Sequence, residues 1–293
     1  MKCDICPRRC GVSRDLGELG FCRAGEDAVI ARAALHHWEE PCISGKNGSG
    51  AVFFSGCSLR CAYCQNAEIS LNFRGKRVSS DRLREIYSKL VSNGAANINL
   101  VTPTHFTCAI LRSLETPPPV PVIWNSSGYE SAATLKTLEK KIQIYMPDMK
   151  YALADPAARY SSAPDYPETA KAAILEMFRQ TGPFVLGGDG LLKSGVLIRH
   201  LILPGNLDNT RAVIDWVSGT FSPGDVMFSL MSQYTPRGEL DAFPELRAPI
   251  TAQEYAAAID CLMASEIADG FYQDPPGAGD EASYIPEWDF AGV

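Results

Sequence analysis

Between residue 51 and about residue 270, short apolar runs alternate with amphipathic stretches six times over. The runs are Ala51–Phe54, Ile98–Val101, Pro121–Trp124, Ile142–Met146, Val196–Leu203 and Val226–Leu230, each of strand length. The first amphipathic stretch starts at a Ser79 or Ser80 cap, places Leu83, Ile86, Tyr87, Leu90 and Val91 on one face and stops at Gly94. Helical stretches follow around Phe106–Leu114, Glu130–Leu138, Glu168–Gln180 and Val213–Val217. The last opens with a capping box, Thr251-Ala252-Gln253-Glu254. Strands separated by helices cannot pair as hairpins, so they run parallel through helical crossovers. Roughly 220 residues do not hold eight such units comfortably, and an open, partial barrel fits better. The expected fold is α/β, a partial (β/α)6 barrel of parallel strands with a cysteine-rich N-terminal segment. Its chemistry belongs at the C-terminal ends of the strands, where the βα loops converge.

The rest of the chain divides around that barrel. Residues 1–50 form a cysteine-rich lead ending in a glycine-rich stretch, 51–270 the barrel, and 271–293 an acidic tail containing Pro and Gly with no Lys or Arg. With 46% hydrophobic and 21% charged residues, the composition is that of a globular protein. No apolar run approaches the ~20 residues that span a bilayer, and no signal-peptide core follows Met1, so a cytoplasmic location without a membrane partner is expected. A net charge of −7 speaks against a nucleic-acid reader.

Ten cysteines are many for a cytoplasmic chain, where close spacing signals metal ligation rather than disulfides. Directly after the first strand stands Ser55-Gly56-Cys57-Ser58-Leu59-Arg60-Cys61-Ala62-Tyr63-Cys64. Cys57, Cys61 and Cys64 can wrap three corners of a cubane, leaving one iron open as a catalytic site requires. Zinc would need a fourth ligand from elsewhere. Gly56 permits the tight turn from strand to loop.

Cys-x3-Cys-x-aromatic-Cys resembles the signature of the radical S-adenosylmethionine (SAM) superfamily. Pro41-Cys42-Ile43-Ser44-Gly45, Thr102-Pro103-Thr104-His105, Asn125-Ser126-Ser127-Gly128-Tyr129, Tyr145-Met146-Pro147-Asp148-Met149-Lys150 and Ile198-Arg199-His200-Leu201-Ile202-Leu203-Pro204-Gly205 further resemble pyruvate formate-lyase activating enzyme-like proteins, from Cys3 to about Gln273. The resemblance implies a [4Fe-4S] cluster whose open iron chelates SAM. Reductive cleavage of SAM then gives a 5′-deoxyadenosyl radical that abstracts hydrogen. It also implies a flavodoxin or ferredoxin donor and, for an activase, a glycyl-radical partner protein. Radical modification of a small molecule, peptide or RNA is the alternative, and a non-catalytic electron carrier a third.

By the same resemblance, Tyr63 stands beside the cofactor, and Asp148 and Lys150 lie against the methionine portion of SAM. An exposed surface pair is the other reading of Asp148 and Lys150. Asn125 and Ser126 can hydrogen-bond SAM or simply form a turn. Arg199, inside an apolar strand, needs an anionic partner, either the SAM carboxylate or a protein acid. The superfamily's Gly-Gly-Glu is missing after the second strand; Thr102 stands there as a substitute. His105 reads as a helix-start residue rather than a proton carrier.

Cys3, Cys6, Cys10 and Cys22 supply four more thiols, enough for zinc or a second iron–sulfur cluster, with Cys42 as an extra ligand. Cys108 and Cys261 read as ordinary buried thiols.

Overall fold

The computed structural model describes residues 2–274 and 286–293. The strands are β1 (Ala28–His36), β2 (Ser49–Phe54), β3 (Lys76–Val78), β4 (Ile98–Val101), β5 (Val122–Ser126), β6 (Ile144–Pro147), β7 (Val185–Leu186), β8 (Leu192–Leu201), β9 (Met227–Met231) and β10 (Gly270–Tyr272). The helices are α1 (Pro41–Ser44), α2 (Ala67–Ser70), α3 (Ser80–Ser92), α4 (Thr107–Ser113), α5 (Ala132–Thr137), α6 (Ala154–Ser161), α7 (Tyr166–Thr181), α8 (Leu207–Thr220) and α9 (Ala252–Met263). No helix among the described residues is long and apolar enough to cross a membrane.

All six expected strands form, and they lie in the sheet in sequence order: β2, β4, β5, β6, β8, β9, every neighbouring pair parallel. Sequential order leaves the crossover helices on one face, so the sheet curls into a partial barrel with its other face inward. Period-2 alternation then sorts the side chains. Val52, Leu100, Trp124, Tyr145, Ile198 and Phe228 face outward into the main core, shared with Leu83, Ile86, Ile110, Leu135, Ile174 and Val213 of the helices. The floor of the concave side is a second apolar cluster, in which Cys42 and Ile43 of α1 plug against Ile123, Ile144, Met146, Leu197 and Met227.

Local signals explain the helix ends. Ser79 Oγ accepts the Arg82 N–H at 3.1 Å, and the Thr251–Glu254 capping box is complete. Gly182, at φ +66°, ends α7.

The sheet is wider than the six units. Within the lead, β1 pairs antiparallel with β2 and β3, so the boundary expected at residue 50 falls inside the sheet. On the opposite edge β10 adds a seventh parallel strand. Much of the expected tail lies outside the described residues. Its end packs back: Trp288 meets Phe53 edge-on at 5.3 Å, and Ala33 N–H donates to Ala291 O. Two cysteine expectations are corrected. Cys108 is exposed, because the neighbouring Ala109 and Ile110 take the buried face of α4, and Cys261 is only half-buried on α9.

Candidate iron–sulfur site

The site is built where β2 ends. The strand delivers Ser55 and Gly56, whose φ of +86° turns the chain into the cysteine loop. A Cβ at Gly56 would lie 2.5 Å from Cys22 O, so only glycine fits there. Cys57, Cys61 and Cys64 all border one cavity of about 580 Å3 on the concave side. Burial pushes the Cys57 thiol up to about 12, with Cys61 and Cys64 adding to the shift. Burial likewise raises Cys64, helped by Cys61. Burial keeps the Cys57 and Cys64 thiols protonated, and a bound metal would reverse that by taking them as thiolates. Hydrogen bonds already point at two sulfurs: Leu59 N–H donates to Cys57 Sγ at 3.3 Å, and the Ser70 hydroxyl is 3.1 Å from Cys64 Sγ. Such contacts tune cluster potentials. Among the described residues no three His, Cys, Asp or Glu side chains are placed to share a single metal ion. A cubane asks for something else, one thiolate at each of several irons. Three thiols on one short loop answer that demand.

Below the thiols the strand tips supply a polar layer. Lys150 Nζ lies 2.8 Å from Asp148 Oδ2, with side chains 19% and 16% exposed, so the pair is built into the cavity wall and is not a surface pair. Burial opposes both charges. Lys150 is nevertheless raised by Asp148 and by the nearby Cys61 and Cys64 thiols, and Asp148 is lowered by Lys150 and Arg199. Arg199 finds its anions within the protein: Nε donates to Asp148 Oδ1 at 3.0 Å and Nη1 to Glu39 Oε2 at 3.0 Å. Its third donor, Nη2, reaches Asn125 Oδ1 at 2.7 Å. The demand for an anionic partner is met by two carboxylates.

The remaining expected residues divide. Asn125, Ser126 and Thr102 border the cavity. Asn125 is engaged by Arg199, and Ser126 Oγ accepts the Gly128 N–H at 3.2 Å, which is the turn reading. Thr102 sits at φ +58°, a left-handed conformation that is costly for a β-branched residue. Tyr63 borders the cavity with its ring edge-on to Tyr151, Tyr160 and Tyr234 at 6.2–6.5 Å. His105 is fully buried behind the loop, where Nε2 lies 2.7 Å from Ser55 O, as fits a helix-start residue. Cys42 is spent in the floor cluster.

Glu39 and Glu40 went unread in the sequence although both border the cavity. Glu39 Oε1 accepts from Asn99 Nδ2 at 2.8 Å, and burial raises Glu40, whose Oε2 has no hydrogen-bond partner. The available signal was two adjacent acids directly ahead of the Pro41-Cys42 motif.

Residues 43–149 match the family model of the 4Fe-4S single cluster domain. The matched stretch runs from the floor plug through the cysteine loop to β6, and the resident cofactor of that domain is one [4Fe-4S] cluster. Lys150 stands one residue past it. The chain is also 27% identical over 270 residues to an uncharacterised protein of Methanocaldococcus jannaschii, covering 88% of this chain and 73% of the relative. Among solved structures, SuiB of Streptococcus suis aligns at a TM-score of 0.46 and 12% identity over 77% of this chain and 48% of SuiB. Methylornithine synthase (PylB) aligns at 0.47 and 11% over 76% of this chain and 70% of that one. The chain spans about half the length of SuiB.

Proposed function

We propose that this chain is a radical SAM enzyme. The observation that carries the reading is that the three thiols of one short loop open onto the same cavity as a charged Lys150–Asp148 pair. With cluster and SAM bound, one electron would cleave SAM to methionine and a 5′-deoxyadenosyl radical, which takes a hydrogen atom from substrate. The protein's own part is to position and to exclude water. Lys150 keeps its proton beside Cys61 and Cys64 and would take the SAM carboxylate, while Asp148 would face the ammonium. Arg199, held by Glu39 and Asp148, fixes the wall behind them. Thr102 and Ser126 offer backbone and hydroxyl groups at neighbouring strand tips.

Within that class we read the chain as pyruvate formate-lyase activating enzyme-like, a flavodoxin or ferredoxin supplying the electron and a glycyl-radical protein receiving the radical. The support is the set of strand-end motifs, Asp148-Met149-Lys150 above all.

Anaerobic reconstitution with dithionite and SAM tests the first step. 5′-Deoxyadenosine should form, and yield no greater than that of Cys61→Ala would reject the enzyme. Adding a candidate partner should produce a glycyl doublet in the electron paramagnetic resonance spectrum. If product forms without a doublet across the glycyl-radical enzymes, the substrate is a small molecule, peptide or RNA.

A further inference from the structure

The proposed reaction leaves four cysteines of the lead unused, and the structure gathers them. Cys3 N–H donates to Val12 O at 2.9 Å, Gly11 N–H to Cys3 O at 3.0 Å and Arg9 N–H to Cys6 O at 3.0 Å, so Cys3, Cys6 and Cys10 stand around one narrow loop. A second turn brings Cys22, and a Cβ on Gly20 would lie 2.8 Å from Cys10 Sγ. All four are free, and three are buried.

Next to them the interior holds polar atoms with no partner. Arg14 reaches Cys22 Sγ with Nη2 at 3.4 Å and His105 O with Nη1, yet its buried Nε is unpaired. His105 lies fully buried against it. Because Ser55 O only accepts, Nε2 carries the proton and the unpaired Nδ1 is a bare lone pair. Glu130 keeps its buried Oε2 unpaired as well. Orphaned buried polar atoms of this kind call for an unseen partner.

We propose that Cys3, Cys6, Cys10 and Cys22 ligate a second iron–sulfur cluster, one thiolate on each iron, with no corner left open. Zinc would need four sulfurs about 2.3 Å from a single centre. The metal count below separates that outcome from a cluster. Ligation releases the thiol protons to solvent as a preassembled cluster is taken up, so no oxidant or reductant is needed.

The second centre has mechanical work to do. The lead it knits together clamps the catalytic loop: Arg8 Nε donates to Ser58 O at 2.9 Å and Nη2 to Leu59 O at 3.3 Å, both carbonyls lying between Cys57 and Cys61. Arg60 Nη1 returns to Phe21 O at 3.1 Å. Cys22 O itself fills the space under Gly56.

Iron and acid-labile sulfide, counted after anaerobic reconstitution, test the inference. The natural chain should hold about eight irons, and both Cys57→Ala/Cys61→Ala/Cys64→Ala and Cys3→Ser/Cys6→Ser/Cys10→Ser/Cys22→Ser about four. An iron-free Cys57/Cys61/Cys64 variant, or one carrying zinc alone, would overturn it. That variant decides even if the lead variant fails to fold, since its lead is intact. The count is independent of the proposed reaction: a chain with both clusters that cleaves no SAM would keep this inference and lose the other.

Discussion

Replacing Arg199 with Leu removes the one cation that two buried carboxylates share. The guanidinium side chain is 13% exposed, Glu39 10% and Asp148 16%, and the three hydrogen bonds from Arg199 measure 2.7–3.0 Å. Deleting one partner of a buried ion pair costs about 3–5 kcal/mol, because the remaining charge stays desolvated. For a chain of this size that is a drop in Tm of roughly 5–8 °C. Urea unfolding followed by circular dichroism, run at pH 7 and again near pH 3, measures it. The sign follows from Asp148. Its carboxyl is held below the ordinary 3.8, so its pairing stabilises the fold above that value and is lost as pH falls through the lowered one. The gap between natural chain and Arg199→Leu should therefore be full at pH 7 and shrink in acid. Glu39→Leu, made alone and together with Arg199→Leu, completes a cycle. The pair should cost about 1–3 kcal/mol less than the sum of the singles, since losing Glu39 spares the variant one stranded charge. Single-variant costs that add to within about 0.5 kcal/mol, or an Arg199→Leu loss below about 1 kcal/mol, would refute the shared-cation account.

Three further outcomes are expected. The Glu130 carboxyl, pushed up to about 7 by burial, opposes folding increasingly as pH rises from its ordinary 4.5 through 7. Glu130→Gln should flatten the stability profile between pH 5 and 8 by on the order of 2–3 kcal/mol, and pH profiles that run parallel would dismiss the assignment. Gly56→Ala forces a left-handed alanine against Cys22 O and should lower stability by at least about 1–2 kcal/mol while cutting iron content after reconstitution; full iron loading would contradict it. Thr102→Gly relieves a left-handed β-branched residue, so denaturant unfolding should show a gain of up to about 1 kcal/mol, and a clear loss would mean the conformation is not strained.

The strands and helices of the barrel were legible because each carries its own period, and Ser79 and Thr251 mark helix starts through their caps. The three cysteines of the candidate site were legible as a group because one short loop holds them all. The edges were harder to read. β1 is a run of Ala, Val and Ile whose antiparallel pairing with β2 depends on the loop between them, and β10 is three residues long. The need of Arg199 for an anion followed from its place in an apolar strand, but Glu39 lies 160 positions away, and only the folded sheet brings the two together. Nor could spacing alone tell that Arg8 would reach the backbone between Cys57 and Cys61.

The alternation of side chains across β5, β6, β8 and β9 has an evolutionary corollary. Asn125, Asp148, Arg199 and Ser229 border the hollow, whereas Trp124, Tyr145, Ile198 and Phe228 pack beneath the helices. A change at Ser229 alters the wall of the hollow without touching the helix-side packing, whereas changes at Asp148 or Arg199 also break the buried ion-pair network. A single inserted residue in any of these strands would exchange the two sets. The hollow is thus remodelled by replacement at positions outside that network, but not by altering strand length.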